Sequence, residues 1–116
     1  MGKFMTVKET RVYRMIETGW CQGDDAQDRF GKRVIANEKK ACTFCISSAV
    51  WVADTPMSSD IKLMNVLPNK FQGDMVDWND ARGRTQQQVL AMLVKAWGQP
   101  QRIGKGDQRV TVLEEG

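Results

Sequence analysis

Two short motifs near opposite ends of the chain define where helices begin, and this constrains the fold more than any other sequence feature. In each motif a threonine is followed three residues later by Glu or Gln, Thr6 with Glu9 and Thr85 with Gln88. In such a capping box each side chain accepts a hydrogen bond from the other residue's free backbone N–H. The sequence therefore predicts a helix after Thr6 and another after Thr85.

The apolar residues that follow each motif recur at helical spacing and define the two helices further. We predict that the first helix ends near Thr18, with Gly19 in the left-handed conformation just beyond it. The last helix is predicted to end at Gly98 and Pro100. Its apolar positions are Val89, Leu90, Met92, Leu93, Ala96 and Trp97, and those of the first helix are Val12, Met15 and Ile16.

The most apolar part of the chain lies between these helices. We predict a second helix over residues 38–53, capped by Asn37 and ended before Pro56. Because its polar face is narrow, we expect this helix to be central and nearly surrounded, with Trp51 on an apolar face. A short third helix capped by Ser58 is predicted to run to about Val66.

The remaining segments lack helical periodicity. Residues 20–35 are predicted to form a loop and a short hairpin that turns near Phe30 and Gly31, and residues 69–84 an ordered irregular loop. Residues 101–116 are predicted to form either an edge strand, at Arg109–Val112, or a loosely attached tail. The sequence thus predicts one globular domain over residues 1–116 that is mainly α, with about four helices around a central one and a small β-hairpin or sheet.

The composition limits the chemistry that the chain can perform. None of the 116 residues is histidine, which removes the usual neutral-pH general base and the commonest metal ligand. Three cysteines form an odd set that fits a reducing compartment, and no apolar run is long enough for a signal peptide or a membrane span. We therefore expect a cytoplasmic protein with no membrane association.

Clusters of cysteine and aspartate give weak signals for metal binding or catalysis. Cys42 and Cys45 have the C-x-x-C spacing, but both fall on an apolar face of the predicted second helix, so we interpret them as buried core residues. Asp24, Asp25 and Asp28 lack the spacing of a calcium loop. The last set, Asp74, Asp77 and Asp80, recurs at intervals of three, with Asp80 interpreted as a turn former. We expect no metal and no cofactor.

The loop tryptophans give the strongest candidate site. Trp20 and Trp78 both fall in predicted loops beside polar residues, where tryptophan either pins the loop to the core or stacks on a ligand. If the two loops meet, they form a polar pocket with aromatic walls, suited to a nucleotide or another anionic ligand. The predicted binding residues are Trp20, Gln22, Trp78, Asn79, Asp80, Arg82 and Arg84.

Three stretches in this order carry a resemblance to a known family. They are residues 19–23 (GWCQG), residues 44–49 (FCISSA), and residues 78–80 (WND) followed by residues 83–85 (GRT). Together they resemble a family of small uncharacterised proteins of bacteria and their phages, a domain of unknown function. The similarity spans roughly residues 7–97, and departs from the family pattern at Ser47 and Ser48. It implies a shared fold and a mobile-element setting, and no reaction.

These observations favour a non-catalytic accessory protein of a phage or mobile element. We expect it to act by binding, either blocking a host defence protein or sequestering a nucleotide-like signal. An alternative is a small hydrolase or transferase that uses Cys21 or Asp80. A further alternative is a weak nucleic-acid binder that uses Arg33, Lys39 and Lys40, although a net charge of +3 makes nucleic acid a poor candidate partner.

Overall fold

The fold is mainly α with a small sheet, as the sequence predicts. The computed structural model describes residues 3–102, so the strand predicted at Arg109–Val112 lies outside the described residues. In chain order the elements are α1 (Val7–Thr18), β1 (Ala26–Gln27), β2 (Arg33–Val34), β3 (Thr43–Phe44), α2 (Ile46–Ala53), α3 (Met57–Val66), a 3-10 turn (Asn69–Phe71), α4 (Met75–Asp80) and α5 (Gln86–Trp97).

Both predicted capping boxes are confirmed. The Thr6 hydroxyl accepts from the Glu9 N–H at 3.1 Å, and the Glu9 carboxylate accepts from the Thr6 N–H at 2.9 Å. At the start of α5 the Thr85 hydroxyl accepts from the Gln88 N–H at 3.2 Å, and the Gln88 side-chain oxygen accepts from the Thr85 N–H at 3.0 Å. Each box satisfies two backbone donors that the helix itself leaves free, and so fixes the first residue of its helix.

The position of Gly19 is predicted correctly, but its conformation is not. Its φ of −173° is extended rather than left-handed. Glycine is needed here for another reason, because a Cβ would lie 2.6 Å from the carbonyl oxygen of Cys42. The end of α1 therefore lies directly against the chain that leads into β3.

The three strands form one antiparallel sheet in the order β2-β1-β3. The hairpin predicted near Phe30 and Gly31 is confirmed as the β1–β2 connection, with Gly31 at a φ of +81°. Strand β3 pairs on the other side of β1 and is absent from the sequence-based prediction. Ala26 thus lies opposite Val34 on one side and Phe44 on the other.

The second helix is half as long as predicted. It begins at Ile46, whereas residues 38–41 form a turn and residues 43 and 44 belong to β3. Pairing with β1 removes this segment from the helix. The prediction that α2 is nearly surrounded is also wrong for Trp51, which is 61% exposed, because α2 is buried on one side only, through Ile46, Ser48, Ala49, Val50 and Ala53.

Two further boundaries differ from the prediction. Helix α3 ends at Val66 as expected, but it begins at Met57 with Pro56 rather than Ser58 at the cap. The predicted irregular loop over residues 69–84 contains the 3-10 turn and helix α4. The Asp74 carboxylate accepts from the Asp77 N–H at 3.0 Å and so caps the start of α4. The cap is visible in the sequence, but the helix after it is too short to show a periodic pattern of apolar residues.

The core lies where α1, α2, α3 and α5 meet. Helix α1 packs against α2 and α5, and α3 packs against α5. Trp97 is fully buried, as predicted, and its indole N–H donates to the Ser59 carbonyl at 2.9 Å. The Ser59 hydroxyl in turn donates to the buried Glu9 carboxylate. Glu9 of the α1 capping box therefore also bonds to α3. Within residues 3–102 no helix is long and apolar enough to cross a membrane.

Candidate functional site

The two tryptophan-bearing segments meet in space. Residues 20–23, which follow α1, lie against residues 78–81 at the end of α4, and we call these two segments the loop junction. The Trp20 indole N–H donates to the Asn79 side-chain oxygen at 2.8 Å. The Gln22 amide donates to the carbonyls of Asn79 and Ala81 at 2.9 and 3.0 Å. The Gly23 N–H donates to the Asp80 carboxylate at 3.0 Å.

Asn79 is the centre of the loop junction. Its side chain is fully buried, and its oxygen accepts from Trp20 and from the Ile46 N–H, the latter at 3.0 Å. Its amide nitrogen donates to the Cys21 carbonyl at 3.1 Å and to Asp80 at 2.9 Å. Two acceptor sites and two donor hydrogens are the full capacity of an asparagine side chain, so every one is used. Asn79 therefore joins the segment after α1, helix α4 and the first turn of α2.

Trp78 and Arg84 form a second part of the site. Trp78 is 5% exposed, and the Arg84 guanidinium lies 4.0 Å from the centre of its ring, a cation–π distance. The Arg84 side chain also donates to the Trp78 carbonyl at 2.9 Å. The ring is thus covered by protein on its accessible side. This arrangement corresponds to the loop-pinning role considered for the tryptophans.

Six of the seven predicted binding residues are brought together, and one is not. Arg82 is exposed and forms none of the bonds that hold the loop junction. The other six, Trp20, Gln22, Trp78, Asn79, Asp80 and Arg84, bond to one another or to the backbone of the two segments. The Trp20 indole, the Gln22 amide, the Asn79 side chain and one Asp80 oxygen each form a hydrogen bond within the protein, although Gln22 and Asp80 lie at exposed positions. Ligand binding by these residues stays a prediction.

The cysteines differ in accessibility. Cys45 is buried, as expected, but the expectation that Cys42 is buried is wrong, because Cys42 precedes β3 and is exposed. Cys21, whose burial is not predicted from the sequence, is buried as well. The Cys21 thiol lies 3.5 Å from the Asp24 carbonyl, and burial raises its pKa above the ordinary value. A raised pKa keeps this thiol protonated at neutral pH, which makes it a poor nucleophile. No group of three or more Cys, Asp or Glu side chains in residues 3–102 could hold a metal ion.

A groove of about 490 Å³ lies beside the loop junction and was not predicted from the sequence. An ion pair among its lining residues joins the Arg33 guanidinium to the Asp24 carboxylate at 2.7 Å. Hydrogen bonds from Gln27 and then from Arg33 lower the pKa of Asp24. The hairpin creates this pair by folding Arg33 back beside Asp24, nine residues earlier. The lining residues are Gly23, Asp24, Asp25, Arg33, Val34, Ile35 and Glu38.

The fold and the loop junction define a small, mainly α domain in which two tryptophan-bearing segments are joined through a buried asparagine. Comparison with protein families then assigns the chain. Residues 10–99 match the model of a family of unknown function, DUF6197, and the chain belongs to that family. No curated protein and no solved structure matches it. The family match covers the whole loop junction and confirms the resemblance to a domain of unknown function.

Proposed function

We propose that the chain is a non-catalytic accessory protein of a phage or other mobile element. In this proposal it works in the host cytosol by binding a host protein and so blocks a component of host defence. Inhibition by binding needs a complementary surface and no catalytic group. The observation that carries the proposal is an exposed apolar stripe on helix α3.

The α3 stripe consists of Met57, Ile61 and Met64. These residues recur at intervals of four and three and therefore lie on one face of the helix. They are 74%, 44% and 37% exposed, whereas Ser59 and Leu63 are buried on the opposite face. A surface helix normally presents polar residues to solvent, so an apolar stripe of this kind marks an interaction surface rather than scattered exposure.

Trp51 strengthens this interpretation. It lies on α2, the helix that precedes α3 in the chain, and is 61% exposed. Trp and Met are enriched at the centres of protein interfaces, where Trp supplies a large contact area and Met adapts to its partner. The exposed side chains available to a partner thus include the types that contribute most binding energy.

The alternatives receive less support from the described residues. Sequestration of a nucleotide-like ligand would need free polar groups at the loop junction, but the Trp20 indole, the Gln22 amide and one Asp80 oxygen already form hydrogen bonds within the protein. A hydrolase or transferase based on Cys21 would need a thiolate, whereas the pKa of that buried thiol is raised. A nucleic-acid interface would need free cations, but Arg33 is paired with Asp24 and Lys40 lies 3.8 Å from Glu38.

Affinity purification from a bacterial host tests the proposal. We expect the tagged wild-type chain to retain one host protein in stoichiometric amount. The double variant Trp51→Ser/Ile61→Ser should lose that protein, because both side chains are exposed and their replacement leaves the core intact. Gln87→Ser, at an exposed position of α5, is the matched control and should retain it.

Two results would contradict the proposal. One is retention of the same partner by the wild type and the double variant alike, with isothermal titration showing equal affinity. The other is multiple turnover of a substrate by the purified chain in metal-free buffer, abolished by a single side-chain replacement. Far-UV circular dichroism establishes that each variant is folded before it is used.

A further inference from the structure

A second surface lies at the far end of the sheet, where the β1–β2 turn meets the turn that leads to β3. We call residues 28–32 and 38–40 the hairpin tip. We propose that the hairpin tip docks on an acidic protein surface that offers an apolar pocket for Phe30. This inference rests on the proposed function in one respect, that the partner is a protein, and it concerns a different surface from the α3 stripe.

The hairpin tip is held in one conformation by its own hydrogen bonds. The Asp28 carboxylate accepts from the N–H groups of Phe30 and Lys32, each at 2.9 Å. The Asp28 carbonyl accepts from the Gly31 N–H at 3.0 Å, and the Asp28 N–H donates to the Lys32 carbonyl at 2.9 Å. A turn fixed in this way loses little conformational entropy when it binds.

Phe30 is the most exposed large apolar side chain among the described residues, at 80%. The Arg29 guanidinium lies 4.9 Å from the centre of its ring and covers one face. Most of the Phe30 side chain nevertheless remains open to solvent. An exposed aromatic ring on a rigid turn, flanked by arginine, has the composition of an interface hot spot, in which aromatic and Arg residues carry most of the binding energy.

The charge around Phe30 specifies the partner. Four cations belong to the hairpin tip, namely Arg29, Lys32, Lys39 and Lys40, against the two carboxylates of Asp28 and Glu38. The pKa of Asp28 is lowered, chiefly because its carboxylate accepts a hydrogen bond from the Lys32 N–H, and the charge of Lys40 also contributes. The turn at residues 28–32 and the turn at residues 38–40 are therefore close enough for their charges to interact.

Both carboxylates of the hairpin tip are engaged by the backbone. Asp28 accepts from its own turn, and Glu38 accepts from the Ile35 N–H at 2.8 Å. Their acceptor atoms are therefore partly used within the protein, and Glu38 also lies 3.8 Å from the Lys40 ammonium. The other three cationic side chains, Arg29, Lys32 and Lys39, extend from exposed positions. An acidic partner surface complements this pattern.

Single-stranded nucleic acid fits the hairpin tip less well. Its binding sites combine a continuous positive groove with several aromatic side chains on which successive bases stack. The hairpin tip has one exposed ring, one face of which is already covered by Arg29. Two acidic residues, Asp28 and Glu38, also lie next to its cations in the chain. One ring with a cationic rim matches a protein pocket better than a strand of stacked bases.

Titration of the ¹⁵N-labelled chain with a synthetic peptide composed of Glu and Leu tests this proposal. We expect amide shifts confined to the hairpin tip, residues 28–32 and 38–40, and an affinity that falls as salt is raised. The double variant Arg29→Glu/Lys32→Glu should weaken binding by about tenfold or more, and Phe30→Ser should also weaken it. The matched control Lys62→Glu/Arg82→Glu makes the same charge change at exposed positions elsewhere and should bind like the wild type.

Other outcomes would overturn the proposal. They are the absence of binding, shifts that map to the α3 stripe, equal affinity of the tip variant and the control variant, or tighter binding of oligo(dT) at the same residues. The proposed function fails separately. If the host partner is captured and the tip variant behaves like wild type in both assays, only the tip proposal is wrong. If the peptide binds the tip but no host protein is retained, the proposed function is wrong.

Discussion

Replacing Asn79 by alanine should destabilise the protein more than replacing any other polar residue of the loop junction by alanine. The variant removes the hydrogen-bond partner of each of two buried backbone groups, the Ile46 N–H and the Cys21 carbonyl. Each buried group left unsatisfied costs about 1–3 kcal/mol, so the two together cost about 2–6 kcal/mol. The partly buried Trp20 N–H recovers a hydrogen bond to water more easily and is left out of this sum.

Urea unfolding followed by far-UV circular dichroism measures the effect. A loss of this size is a large share of the about 5–15 kcal/mol that stabilises a typical domain. Asn65→Ala is the matched control, because Asn65 is exposed on α3, and it should change the free energy of unfolding by about 0.5 kcal/mol at most. A cost below about 1 kcal/mol for Asn79→Ala would refute the reasoning, since it would mean that the buried groups find other partners.

Asn79→Asp separates the loss of the donor from the loss of packing. The variant keeps the shape and the acceptor oxygen, but places a second oxygen against the Cys21 carbonyl and the Asp80 carboxylate. Burial and the charge of Asp80 should raise the native pKa of the new carboxyl above its unfolded value. The protonated carboxyl therefore contributes to stability at low pH, and this contribution is lost as pH rises through the native pKa. Asn79→Asp should therefore be less destabilised at about pH 4 than at about pH 7.

Three other changes test the fold and its titrations. Gly19→Ala should cost about 1–3 kcal/mol in urea unfolding, because its Cβ would lie 2.6 Å from the Cys42 carbonyl oxygen, and wild-type stability would contradict that contact. Iodoacetamide should label exposed Cys42 quickly in the native chain and buried Cys21 and Cys45 only on unfolding, so a Cys42→Ser variant that still labels quickly would show the burial to be wrong. The lowered pKa of Asp28 means that its hydrogen bonds stabilise the hairpin above the unfolded pKa and are lost as pH falls through the lower native pKa. Asp28→Asn should abolish that part of the acid sensitivity, with hairpin amide exchange as the measurement, and an unchanged acid profile would exclude it.

Features with short sequence separation were predictable from the chain itself. The capping boxes join residues three apart, and the Phe30–Gly31 turn joins strands that are neighbours in sequence. Helix α4 was missed although its Asp74 cap is equally local, because six residues with a single buried tryptophan and asparagine give too short a periodic signal. The predicted start of the second helix failed because residues 43 and 44 pair with β1, and that pairing depends on a strand 17 residues earlier.

The sequence by itself determined the helix starts, the hairpin turn, the absence of imidazole chemistry and the residue types at the loop junction. Only the tertiary structure decided what those residues do. The bonds of Asn79 join residues 33 to 59 positions apart, and no local propensity encodes which distant carbonyl or indole a buried amide will meet. Trp51 is a second example. Its apolar neighbours in the sequence predict burial, but α2 packs on one side only and leaves Trp51 exposed to solvent. Burial is a property of the assembled fold, and a chain's periodicity reports which residues share a face but not whether another element covers it.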